Sequence, residues 1–200
     1  MNDKLNRLLD HLETFLPTPL TEQDWKNAKA FRWQKRDSIF GSIGFLKPVK
    51  HLSDISFNDL KHIDRQRDAI IENTQHFVQK RPANNILLTG ARGTGKSSLI
   101  KACLNQFASQ NLRLVEVDKD HLADLPDITE LLAVRPERFI VFCDDLSFEE
   151  GESGYKAMKS ALDGSISAQV DNILIYATSN RRHLLPEYMS DNESYVHTED

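Results

Sequence analysis

Cysteine is scarce in this 200-residue chain: the two present, Cys103 and Cys143, match no CxxC pattern and have apolar neighbours. That excludes a disulfide scaffold or a thiolate zinc site and fits buried thiols in a reducing compartment. Glycine (8) and proline (7) are too few for a collagen-like or low-complexity chain. No apolar run exceeds about five residues, against the roughly 20 that a membrane helix needs. Residues 1–7 lack the apolar core of a signal peptide, so the expectation is a cytoplasmic protein with no membrane partner. None of the seven histidines forms an H-x-x-x-H pair or has cysteines at zinc spacing, and no G-x-S-x-G occurs; zinc and serine-triad hydrolysis are excluded. The net charge of −5 argues against a general nucleic-acid coat. Its distribution is uneven. Residues 1–85 hold 14 Lys and Arg against 11 Asp and Glu, whereas residues 86–200 hold 11 against 19, so a polyanion-binding surface belongs in the first part.

What is there is an ordinary soluble composition, 40% hydrophobic and 28% charged, in a length that makes one domain with an appendage. Leu5, Leu8, Leu9, Leu12, Phe15 and Leu16 recur at helical spacing, predicting an amphipathic helix over residues 3–16 that stops before Pro17 and Pro19. Thr21 reads as the N-cap of a second helix over residues 22–35. That stretch interleaves Trp25 and Trp33 with Arg32, Lys35 and, just beyond, Arg36, which raises the possibility of a nucleic-acid partner; an amphipathic surface helix with buried rings is the plainer reading. Residues 37–57, with Gly41, Gly44 and Pro48, read as an irregular linker. The expected organisation is a helical N-terminal extension and linker over residues 1–52, a core over 53–188 and a polar tail over 189–200.

From Phe57 a helical pattern runs to about Lys80 and is closed by Pro82. Short apolar runs then appear at residues 86–88, 112–117, 139–143 and 173–177, each separated by enough chain for a helix. Runs without polar alternation suit strands buried on both faces, and strands alternating with helices suit a parallel sheet covered by helices. The expected fold class is α/β, a three-layer parallel-sheet arrangement.

Between the first of those strands and a helical pattern lies Gly90-Ala91-Arg92-Gly93-Thr94-Gly95-Lys96-Ser97, a complete G-x-x-x-x-G-K-S P-loop, followed by Ser98. Glycines let the backbone turn its N–H groups inward onto phosphate oxygens, and the helix N-terminus adds partial positive charge. Lys96 would reach the outer phosphates of ATP, and Ser97 would offer its hydroxyl to Mg²⁺. Such a loop needs a carboxylate at the end of a neighbouring buried strand. The run Phe139-Ile140-Val141-Phe142-Cys143-Asp144-Asp145 supplies two, the pattern of a Walker B strand; Asp144 is expected in the Mg²⁺ shell and Asp145 on the attacking water. The last run ends Thr178-Ser179-Asn180, where an amide can read the γ-phosphate; Asn180 is the expected sensor, with Thr178 as the alternative. The loop Phe148-Glu149-Glu150-Gly151-Glu152 reads as solvated, with a helix from Ser153 onward.

P-loop, Phe-Cys-Asp-Asp strand and Ala-Thr-Ser-Asn strand, in that order, resemble the AAA+ ATPase superfamily. The wording of Arg81-Pro82-Ala83-Asn84-Asn85, of Phe142-Cys143-Asp144-Asp145-Leu146-Ser147-Phe148-Glu149, of Lys159-Ser160-Ala161-Leu162-Asp163-Gly164 and of Tyr176-Ala177-Thr178-Ser179-Asn180-Arg181-Arg182-His183-Leu184 is similar to a bacterial group of AAA+-like ATPases of unknown function. The likeness covers about residues 50–190. It implies an AAA+ sandwich, ATP with Mg²⁺ as the bound species, and self-association through the nucleotide interface. Two departures stand out. His62 occupies the stretch where these ATPases place a glycine near adenine, and the chain ends at Asp200, before the arginine finger, further strand and lid that the resemblance implies. The functional expectation is Mg²⁺-dependent ATP hydrolysis used as a conformational switch on a partner. The alternatives are a nucleotide-gated binding module with little turnover and a P-loop small-molecule kinase. A GTPase is disfavoured because no Asn-Lys-x-Asp signature occurs.

Overall fold

The computed structural model describes residues 16–38, 41–148, 153–162 and 170–180. The helix expected over residues 3–16 lies outside these except for Leu16, as do the acidic residues 149–152, Arg181, Arg182 and the tail 189–200.

Six strands form one sheet in the order β2-β1-β4-β5-β6-β3: β1 (Ala30–Ser38), β2 (Gly41–Pro48), β3 (Ile86–Thr89), β4 (Leu112–Glu116), β5 (Arg138–Cys143) and β6 (Ile173–Ser179). Every neighbouring pair is parallel except β1 with β2. The helices are α1 (Glu22–Asn27), α2 (Asp64–Val78), α3 (Lys96–Phe107), α4 (Leu125–Ala133) and α5 (Ser153–Leu162).

Period-2 alternation along β5 builds the two cores. Phe139, Val141 and Cys143 pack with Trp25, Ile128, Leu132 and Met158 on the side of α1, α4 and α5. Ile140 and Phe142 pack with Ile70, Phe77, Ile100, Cys103 and Phe107 on the side of α2 and α3. All six β5 residues are buried, as a strand covered on both faces requires; each such apolar side chain contributes roughly 1.5–3 kcal/mol. This is the three-layer α/β architecture of a P-loop NTPase core that the AAA+ resemblance implied.

Three elements differ from the sequence reading. The helix expected over residues 22–35 ends at Asn27, and residues 30–38 form β1. Thr21 and Asp24 do make a reciprocal capping box, but one turn later Ala28 is already extended. Phe31 and Trp33 then face the interior while Arg32 between them pairs with Glu116, an alternation that is a strand's period. The linker expected over residues 37–57 contains β2, antiparallel to β1 in a register that sets Trp33 opposite Leu46. Through β1, which pairs with β4, the sheet therefore includes residues on the N-terminal side of residue 52. The helical run expected from Phe57 begins as a single 3-10 turn, Phe57–Asp59, and becomes α-helix only at Asp64.

Candidate nucleotide site

The loop after β3 is held open by three glycines with positive φ: Gly90 at 148°, Gly93 at 80° and Gly95 at 84°. A side chain at any of them would be conformationally strained, which is the physical need behind their spacing. The left-handed Gly95 N-caps α3, and Leu99 N–H donates to Gly95 O at 2.8 Å. Ala91, Arg92, Gly93 and Thr94 are exposed along the rim, whereas Lys96, Ser97 and Ser98 are half-buried in the first turn of α3. Thr94 Oγ1 donates back to Ala91 O at 2.9 Å and closes the loop.

Beside the loop, β6 lies directly against β3, with Leu88 opposite Thr178, and β5 lies beyond β6. Parallel pairing brings all three carboxyl ends to one edge. There Lys96 Nζ donates to Gly90 O (2.7 Å), Ala91 O (2.8 Å) and Asn180 Oδ1 (2.9 Å). The Asn180 amide in turn donates to Asp145 Oδ1. Ser97 Oγ donates to Asp144 Oδ1 at 2.6 Å. Thr178 Oγ1 donates to that same carboxylate oxygen at 2.5 Å and accepts the Asp145 N–H at 2.8 Å. Lys96, Ser97, Asp144, Asp145, Thr178 and Asn180 are thus one connected set, and the glycine loop and the paired acids meet at one edge of the sheet.

Thr178 carries more of this geometry than an alternative sensor would. It is buried within β6 and ties both acids, while Asn180 meets the lysine. Its signal in the sequence was its place among the small polar residues that end the last apolar run, two before Asn180. Asp145 adopts a left-handed backbone, φ 53°, and that conformation has no sequence signal of its own. His62 is also left-handed, φ 61°; a glycine would sit there without strain. The neighbouring Ile63 and Leu60 come within 4 Å of where a Gly95 Cβ would be, so residues 60–63 border the loop.

The aromatic and basic residues near the N-terminus do not form a stacking platform. Trp25 and Trp33 are each only 5% exposed. Arg32 pairs with Glu116 at 2.7 Å, and Lys35 with Asp124 at 3.0 Å. Arg36 lies over the Phe45 ring. No cluster of three or more His, Cys, Asp or Glu side chains able to hold a metal occurs among the described residues, and no described helix is long and apolar enough to cross a membrane.

A glycine cradle that opens a helix, set against an acid pair on a strand two places away in a parallel sheet, defines a P-loop protein. Within that class the chain belongs to the family described as "Protein of unknown function (DUF815)", which matches residues 26–200. Among solved structures it is similar to C. elegans PCH-2, with 20% identity and a TM-score of 0.49 over 70% of this chain and 42% of that one. It is also similar to AMPPCP-bound DnaA from Aquifex aeolicus, with 14% identity and a TM-score of 0.48 over 73% of this chain and 50% of that one. The chain spans half or less of the length of either. No curated protein matches it.

Proposed function

We propose that the chain binds ATP with Mg²⁺ in the cradle of residues 90–98 and hydrolyses it, using the nucleotide as a conformational switch on a partner. The observation that carries this reading is the 2.6 Å contact between the Ser97 hydroxyl and Asp144. It sets a hydroxyl and a carboxylate, the hard oxygen donors that Mg²⁺ takes, at the mouth of the glycine loop. The cradle also suits a triphosphate: nothing lies within 4 Å of a Cβ built at Gly93, and only Thr94 Oγ1, at 3.7 Å, near one at Gly90.

Ser97 and Asp144 would hold Mg²⁺, which would supply neutralisation of the charge that builds up as the phosphoryl group transfers. Lys96 exchanges its loop carbonyls for phosphate oxygens, a stronger charge-assisted pairing. Asp145 is assigned to orient the attacking water and accept its proton. Asn180, in contact with both Lys96 and Asp145, is assigned to sense the terminal phosphate. Self-association at the nucleotide edge is part of the same proposal, because an arginine from a neighbouring subunit can raise turnover about 10³- to 10⁵-fold in P-loop enzymes.

Calorimetry with ATP, ADP and GTP in Mg²⁺ tests the binding. Lys96→Ala is expected to abolish it, and sedimentation with ATP reads assembly. Asp145→Asn should bind ATP as well as the parent while phosphate release falls about 10²-fold or more. Failure of the parent chain to take up any triphosphate would overturn the reading, and undiminished turnover by Asp145→Asn would remove that residue's role.

A further inference from the structure

Opposite the P-loop, at the amino ends of the same strands, a cleft of about 1260 Å³ opens between the end of α2, the flank of α4 and the starts of β5 and β6. Six residues of β5 separate it from Asp144, about 20 Å of extended chain, and none of its lining residues belongs to the P-loop set.

One wall of this cleft carries Arg138, which is only 8% exposed. Its guanidinium is fixed in place: Nε donates to Phe77 O at 2.8 Å, and the group lies 4.4 Å above the Phe77 ring. Among the described residues neither Nη1 nor Nη2 has a hydrogen-bond partner. The fork is therefore held at one end, and its Nη donors, which are not sealed from solvent, open onto the cleft. Arg113, the other buried arginine with no carboxylate in contact, spends its donors on carbonyl oxygens; Arg138 spends one.

Two further cations, Lys80 and Arg81, line the same cleft and form no ion pair among the described residues. They close α2 by donating their N–H groups to Phe77 O (3.0 Å) and His76 O (2.9 Å). This closure puts Lys80 at φ 59°, the left-handed position that glycine commonly fills at helix ends. A lysine there costs backbone strain and places an ammonium on the cleft. The fourth cation, Arg135, is already neutralised by Glu22 and Glu137. Against Lys80, Arg81 and Arg138 stand two lining acids, Glu130 and Asp171, neither in an ion pair with them among the described residues; with Glu22 and Glu137 counted, the four cations and four acids balance, so the Arg138 fork and not net charge marks the wall.

We propose that this amino-edge cleft is a second ligand site, taking a small molecule that bears carboxylate or phosphate groups, with Arg138 as its bidentate anchor and Lys80 and Arg81 as flanking cations. A planar fork pre-set by stacking suits paired oxyanion oxygens. The volume exceeds what one inorganic ion needs and leaves room for an organic ligand.

The test is calorimetric titration of the Lys96→Ala chain, in which the P-loop has lost its cation, with citrate in one arm and pyrophosphate in the other; only binding that the cleft variants below weaken counts for the cleft. Binding of either with a dissociation constant of about 1 mM or tighter is expected, and the tighter arm tells carboxylate from phosphate as the source. The Lys80→Gly/Arg81→Gln double variant should weaken that binding about tenfold or more. It should melt no lower than its parent, because glycine relieves the left-handed strain. Arg138→Lys, which keeps the charge and loses the fork, should weaken it as well. No binding in either arm at about 10 mM, or unchanged affinity in the double variant, would overturn the proposal.

Discussion

The Thr178 hydroxyl donates to Asp144 Oδ1 at 2.5 Å, the same oxygen that accepts from Ser97 at 2.6 Å. Two elements from opposite ends of the motif set therefore converge on one carboxylate. Because Thr178 also accepts the Asp145 N–H, a single buried hydroxyl orients Asp144 and pins the left-handed turn that aims Asp145 at Asn180.

Thr178→Val keeps the shape of the side chain and removes both bonds. Hydrogen bonds to charged groups contribute about 1.5–3 kcal/mol, so phosphate release should fall roughly ten- to a hundredfold. The Mg²⁺ concentration for half-maximal rate should rise in parallel, and Thr178→Ser should restore most of both. Equal turnover by the valine and serine variants would show that the hydroxyl only fills space.

Gly44→Ala should destabilise the fold although the residue lies on a strand at the edge of the described sheet. A Cβ there would be 2.0 Å from Trp33 Cζ2, and the indole cannot retreat, because it is buried and its Nε1 donates to Asp124 Oδ2 at 2.9 Å. Overpacking of this kind costs about 1–3 kcal/mol. Urea unfolding followed by tryptophan emission measures it, and an unchanged midpoint would mean that the hairpin shifts freely.

That contact also shows why part of the fold could not be read in advance. The P-loop, its strand and helix, and the acid pair were legible because local chemistry dictates them: glycines for left-handed turns, an apolar run for a buried strand. Gly44 looked like loop punctuation, yet it is glycine to make room for a ring from the next strand, which is a tertiary reason. Residues 30–35 looked helical because Thr21, Glu22 and Asp24 start a helix well; what ends it is the pairing of β1 with β4, far away in sequence. At the site, Lys96, Ser97, Asp144, Asp145 and Asn180 followed from motif and spacing. The double role of Thr178 needed the register of β6 against β3 and β5.

Acid should unfasten the same hairpin. Burial alone would raise the pKa of Asp124, but hydrogen bonds from Trp33 and Lys35 outweigh it and hold the carboxyl below its ordinary value. A lowered folded pKa contributes stability that is complete above the unfolded value and is lost as pH falls through the folded one. Unfolding free energy should therefore decline between about pH 5 and pH 2, and Asp124→Asn should decline less steeply over that range. Parallel curves for the two proteins would sink the assignment.

The last contact to test is the one that anchors α1. Arg113 is 8% exposed and makes no ion pair among the described residues. Its Nε donates to Trp25 O at 3.2 Å and its Nη2 to Lys26 O at 3.3 Å, the final carbonyls of α1, while Nη1 meets Ala108 O and Leu112 O at 3.2 and 2.9 Å. A helix of only six residues cannot hold itself together in water, since helix nucleation is unfavourable; it persists because this cation caps its negative end from the sheet. Arg113→Met fills the volume but strands those carbonyls, at a cost of roughly 2–4 kcal/mol. Amide exchange in α1 should accelerate more than exchange in β4 and β5. If all three accelerate equally, the guanidinium supports the whole core and does not specifically tether α1.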